Sequence, residues 1–387
     1  MKAQTRVAVV IGALALSLTL AVPASAAPAG PADRALDRAL AKVVAAPGGP
    51  PGVISIVRRG GKSFVHRAGV ADLDSKRPWR PSDHMRLAST SKAYSGAVAL
   101  SLVRRGRLAL DDTIGERLPG LSAAWAAVTL RQALHHTSGL PDYTATSGFL
   151  DNFGADPLHH FTPADLIGYV AGEPLRFAPD SAYKYSNTDN IVVALMAEAA
   201  TGQPYERLLG TEVYTRLGLT KTTLPNGAKL PRPFAHGYFY EDSKPLQDVS
   251  EAVSMSGVWA SGGMVSTAAE LGRFVRGYVS GKLFGKVLGE QQRDWVDGTS
   301  EPPGPGANSA GLGLFRYRMG CGTVYGHTGN FPGYTQFTAA SSDGRRSATV
   351  SANTQLNPES FSQPAFRALR RAFGRAACAA LASPRGR

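Results

Sequence analysis

The chain has 387 residues, 43% of them hydrophobic and 18% charged, with 43 glycines and 26 prolines. This composition excludes a disordered or fibrous protein, and the length suits two or three domains or one large two-lobed unit. A net charge of +13 points to anionic surroundings, and two cysteines this far apart do not make a zinc site.

The N-terminus reads as an export signal. Lys2 and Arg6 precede an apolar run of roughly 15 residues, short for a bilayer span. Ala24-Ser25-Ala26 then matches a small-x-small cleavage site. The expectation is a signal over residues 1–26, a mature chain from Ala27, a secreted product and no transmembrane anchor. An uncleaved anchor is the alternative. Cys321 and Cys378 suit one disulfide in an exported protein, with two buried thiols as the alternative.

Residues 32–45 carry helical periodicity, which "PGGPPG" (47–52) breaks. Alternation on both sides of Gly60-Gly61 predicts a β-hairpin. The Gly-Lys-Ser there is no phosphate loop, because Ile56 stands where such a loop needs glycine. A helix-rich middle runs from about 87 to 216, with loops at "HHTSGLPDYT" and "RFAPDSAYKYSN". "WASGG" reads as a turn before a helix capped by Ser266 or Thr267, with Glu270 nearby. "NSAGLGLFRYRMG", "TVYGHTGNFPGYTQFTAASSDG" and "RRSATVSANT" read as three strands, with "SSDG" as a hairpin turn. A last helix over about 362–381 carries Arg367, Arg370, Arg371 and Arg375. Strands at both ends and helices between predict an α/β (α+β) fold of one unit over 27–387. Its sheet lobe comprises 27–85 plus 255–387, and 86–254 form an inserted helical lobe.

Chemistry concentrates in three places. In "MRLASTSKAYSGAVALSLVRRG" (85–106), Ser89 and Lys92 lie three apart at the mouth of an apolar helix, hence on one face. A serine hydroxyl needs a base, and a desolvated lysine can be one. The helix entrance also offers free N–H groups to a developing oxyanion. In "YKYSNTDN", Tyr185 and Asn187 point the same way if extended. A cationic lysine beside Tyr185 would lower the phenol toward a useful base, and Asn187 could bridge lysine and substrate. In "YGHTGNFPGY", His327, Thr328 and Gly329 sit on a strand able to pair with an extended peptide. The Asn330 N–H is a candidate second oxyanion donor, and His327 a titratable group beside the cleft.

In this order the motifs S-x-x-K, Y-x-N and H-T-G resemble those of the penicillin-recognising serine hydrolases. The likeness extends over "LHHTSGLPDY", "YSNTDNIVVALMAEAATG", "GLGL" and "CGTVYGHTG", and resembles secreted D-alanyl-D-alanine carboxypeptidases more than class C β-lactamases. It implies the β-lactamase/DD-peptidase fold, an antiparallel sheet flanked by helices with the site between two lobes. It also implies Ser89 as nucleophile, Lys92 and Tyr185 as proton carriers and Asn187 on the acyl side. His327, Thr328 and Gly329 would line the site, with Asn330 and Arg316 (or Arg318) near the substrate carboxylate. The implied substrate is a peptidoglycan stem or other small peptide, with β-lactams as inhibitors or substrates. Asn330 replaces a threonine common in relatives, and Asp180 replaces a glycine. A class C-like β-lactamase, or an esterase or D-amino-acid peptidase, shares this machinery. A non-catalytic binding module would be expected to lose Ser89, Lys92 or Tyr185. No nucleic-acid motif accompanies the basic charge. No cofactor is expected, and His135-His136 and His159-His160 lack metal spacing. The chain is expected to act as a monomer.

Overall fold

The structure is a computed structural model that describes residues 30–382 apart from 241–245, 286–288 and 290–292. The expected export signal lies outside the described residues.

The segment "GVISIVRR" explains the architecture. It forms strand β1 (Gly52–Arg59), and Val53, Ile54, Ile56 and Val57 are all buried. Side chains alternate across a strand, so Val53 and Val57 enter one core while Ile54 and Ile56 enter another. A strand apolar on both faces requires cover on both.

The remaining strands follow in chain order. They are β2 (Lys62–Gly69), β3 (His84–Arg86), β4 (Tyr238–Phe239), β5 (Gln247–Asp248), β6 (Val265–Thr267) and β7 (Val296–Asp297). Then come β8 (Ala307–Ala310), β9 (Phe315–Met319), β10 (Gly322–Phe331), β11 (Tyr334–Ala340) and β12 (Ser347–Ala352). Eight of them form an antiparallel sheet in the order β2-β1-β12-β11-β10-β9-β8-β7. The two chain ends meet where Val53 pairs with Ala352. β3 pairs with β6, and β4 with β5.

On one face lie the N-terminal helix (Pro31–Val44) and the C-terminal helix (Gln363–Leu381). The C-terminal helix buries Phe366, Leu369, Phe373 and Ala377, a helical period of three and four. Phe373 meets Phe337 of β11 at 5.3 Å between ring centroids. Each such buried side chain stabilises by roughly 1.5–3 kcal/mol. The other face carries the central helix (Ser91–Arg104) and the helices Asn187–Thr201 and Ala268–Val279.

Two expectations need correction, and one alternative is decided. The three late strands are five, because Gly313 (φ +71°) lies between β8 and β9 and Gly333 (φ +86°) turns β10 into β11. "WASGG" is a helical turn (Trp259–Gly262) followed by β6. Of the two candidate caps, Thr267 is the one whose hydroxyl accepts from the Glu270 N–H.

Cys321 and Cys378 form a disulfide that ties the β9–β10 turn to the end of the C-terminal helix across 57 residues. Replacing both by serine is expected to cost about 4 kcal/mol of unfolding free energy by loop entropy. Denaturant unfolding of the double variant checks this, and the expected signature is a lower midpoint with a steeper slope, because the uncrosslinked unfolded chain exposes more surface.

Candidate active site

The chain enters the site through β3 and a 3-10 turn, Ala88–Thr90, that leads into the central helix. Ala88 has φ +50°, a left-handed conformation that costs an alanine about 1–2 kcal/mol. It is fully buried, so packing holds the strain and presents Ser89 at the helix mouth. β10 passes directly behind. A Cβ at Gly329 would come within 2.5 Å of the Leu87 carbonyl and 3.0 Å of the Ser89 nitrogen. Only glycine lets the strand approach this closely.

Lys92 is 1% exposed. Its Nζ lies 3.2 Å from Ser89 Oγ, 2.6 Å from Asn187 Oδ1 and 2.8 Å from the Ser261 carbonyl. Burial lowers its pKa to about 7, against the fields of Asp142 and Glu301. A neutral amine has two N–H donors and one lone pair. Asn187 Oδ1 and Ser261 O can only accept, so they take the two donors. The lone pair is left for the Ser89 hydroxyl.

Asn187 is the first residue of its helix, and its amide orientation is set from below. Its Nδ2 donates to Asp142 Oδ2 (3.0 Å) and Thr144 Oγ1 (2.9 Å), and its backbone N–H donates to Asp142 Oδ2. The oxygen is thereby turned to Lys92.

Tyr185 is 5% exposed, with its ring 4.9 Å from Lys92 Nζ. A lysine so near predicts a lowered pKa, but burial instead raises it well above the ordinary value. Ser89, next to its hydroxyl, works against that rise. Tyr185 is therefore a neutral phenol. Its ring is braced by His136 at 4.6 Å. His136 Nδ1 sits 2.7 Å from Asp189 Oδ2, and Ser138 Oγ donates to the other carboxyl oxygen. Burial lowers His136 to about 3 and raises Asp189, so both directions favour an uncharged pair.

The third motif is placed differently from expectation. His327 is buried against Phe315, its Nδ1 is 2.5 Å from the Thr328 carbonyl, and burial lowers its pKa to about 3. It does not titrate near neutrality. Thr328 donates its hydroxyl to the Pro302 carbonyl, anchoring the 301–303 wall instead of facing substrate. Asn330 does line the cavity, with its amide held by Leu356 O and Asn357 Oδ1. Arg316 does not. Its guanidinium lies over Trp295 at 4.8 Å and donates to Ser309 Oγ. Neighbouring residues of β9 face opposite ways, and the one turned toward His327 and Tyr185 is Phe315.

Ser89, Tyr185, Asn187 and Asn330 open into a cavity of about 880 Å³. Phe149, Leu150, Phe153, Val258 and Phe331 make its wall apolar, and Glu301 and Glu359 make its rim acidic. Among the described residues, no arginine or lysine lines it. Sequence reasoning missed Asp142, His136, Asp189, Glu301 and the Ser261 carbonyl. Asp142 lies in the quoted "LPDY" segment, but a lone aspartate carries no spacing signal. Among the described residues no group of His, Cys, Asp and Glu could hold a metal ion.

A serine hydroxyl beside a buried lysine, next to a strand of an antiparallel sheet, is the arrangement of a serine hydrolase. Residues 36–372 match the Beta-lactamase family, and the chain belongs to it, within the penicillin-recognising serine hydrolases. It is 25% identical to penicillin-binding protein 4* of Bacillus subtilis over 80% of this chain and 69% of that one. It is 32% identical to esterase EstB of Burkholderia gladioli, over 51% of this chain and 52% of that one. The fold matches a D-stereospecific amidohydrolase from Streptomyces with TM-score 0.76 and 28% identity, covering 87% and 98% of the two chains.

Gly329→Ala is expected to slow acylation of Ser89 by a fluorescent penicillin at least tenfold, because β10 must retreat from the nucleophile's turn. Rates of labelling, compared at matched thermal stability, check this.

Proposed function

We propose that the protein is an exported serine hydrolase that cleaves amide or ester bonds of small D-amino-acid substrates carrying an apolar group. The observation that carries the acyl-enzyme chemistry is the Ser89–Lys92–Asn187–Ser261 geometry. Neutral Lys92 takes the Ser89 proton as Oγ attacks the carbonyl. The Ser89 and Asn330 N–H groups receive the oxyanion. When the tetrahedral adduct collapses, Tyr185, a neutral phenol, donates a proton to the leaving nitrogen or oxygen and recovers one through Lys92. Water then attacks the acyl-enzyme and releases the acid.

The acyl group would sit against Phe149 and Phe331. The similarity to a D-stereospecific amidohydrolase and to an esterase supports this substrate class. A D-alanyl-D-alanine carboxypeptidase is the second reading, supported by the similarity to penicillin-binding protein 4*. It ranks second because a substrate's terminal carboxylate would meet Glu301 and Glu359 with no guanidinium in the cavity wall. The disulfide and the N-terminal pattern support export.

Ser89→Ala is expected to abolish both hydrolysis and penicillin labelling. Assaying release of ammonia from D-phenylalanine amide beside release of D-alanine from a diacyl-D-Ala-D-Ala peptide separates the two readings. A higher kcat/KM for the amide supports the first, and a higher one for the peptide replaces it with the second. For either substrate, kcat/KM is expected to rise tenfold per pH unit below about 7 and to level off above it. The sign follows because only unprotonated Lys92 accepts the Ser89 proton. A profile that falls across this range would remove Lys92 as the base.

A further inference from the structure

The face of the sheet away from the catalytic helix carries an unusual arrangement of charge. Arg38 and Lys42 lie four residues apart on the exposed side of the N-terminal helix. Arg367, Arg371 and Arg375 do the same, at i, i+4 and i+8, on the C-terminal helix. Residues so spaced share one helix face, about 6 Å apart along the axis. Like charges at this spacing weaken a helix unless something neutralises them. Nothing described does so, because none of the five makes a hydrogen bond or ion pair with another described residue. The acids of the N-terminal helix are committed elsewhere, Asp33 to Arg59 and Asp37 to His66.

The two helices pack together, and their stripes converge. Arg38, Lys42, Arg371 and Arg375 line one groove between them, of about 170 Å³. Arg367, Arg370 and Arg371 line a second, of about 400 Å³, that runs past Gly306 and Gly320 to the disulfide. Arg371 belongs to both, so the grooves form one basic track. Arg370 alone is tied down, through its Nε to the Gly304 carbonyl.

We infer that this track binds a linear, base-free phosphate polymer, the phosphate groups seated between the stripes. A concave, cation-lined track suits a strand better than a flat lipid surface. Among the described residues no aromatic side chain lines either groove, which removes the stacking platforms that single-stranded nucleic acid uses. The track shares no lining residue with the cleft. A polymer seated there leaves Ser89 open to substrate, so the track tethers the enzyme without blocking it.

The test is binding of the mature chain to fluorescently labelled poly(glycerol phosphate), with single-stranded DNA and phosphatidylglycerol vesicles as competitors. The polymer is expected to bind with an affinity that falls steeply with salt, a log–log slope of roughly −3.5 for five contacts. R371E/R375E is expected to weaken binding at least tenfold while leaving penicillin labelling of Ser89 unchanged. The labelling also reports that the variant is folded. Absence of polymer binding, equal binding by the double variant, or preference for DNA or vesicles over the polymer each overturns the inference.

Discussion

The site depends on one desolvated amine. Lys92 is buried at the mouth of a helix whose next residues are core, and burial rather than a neighbouring cation lowers its pKa to about 7. Every other feature serves that position. Ser261 and Asn187 take its two N–H donors, and Asp142 sets which end of the Asn187 amide faces it. Asp142 and Glu301 hold its pKa from falling further. The strained Ala88 and the missing side chain of Gly329 bring the Ser89 turn within reach.

The fold holds this arrangement between two cores. β1 is apolar on both faces, so helices must cover both sides of the sheet. The helix Ala268–Val279 covers one, and the helix that carries Lys92 packs behind it through Tyr94 and Phe274. The other face carries the terminal helices, which do no chemistry and are free to present charge. The division explains how one chain can keep a partly apolar cavity and a strongly basic surface without the two fields meeting. The substrate side is acidic at Glu301 and Glu359, and the cationic stripes lie across the sheet.

What is legible in the sequence is local. Three-residue spacing on a helix and two-residue spacing in an extended segment are geometric, so spacing alone pairs Ser89 with Lys92 and Tyr185 with Asn187. The hairpin at Gly60-Gly61 and the Thr267 cap are readable for the same reason. Burial is not local, and there the sequence misleads. The Tyr185 pKa rises instead of falling and His327 is locked neutral, because desolvation is the largest cause of both shifts. Arg316 is misassigned from sequence because strand parity decides which residue faces the cleft, and parity follows from the register. That register turns Phe315 inward. The Ser261 carbonyl reaches Lys92, and Asp142 reaches Asn187, from distant parts of the chain, and both announce nothing where they stand.

The protonation of Lys92 can be measured directly. In protein labelled with ¹⁵N at lysine Nζ, the Lys92 resonance, assigned by its loss in Lys92→Met, should titrate with a midpoint near 7. A midpoint at the ordinary lysine value of 10.5 would mean that the amine is a charged structural contact, and that some other group takes the proton from Ser89.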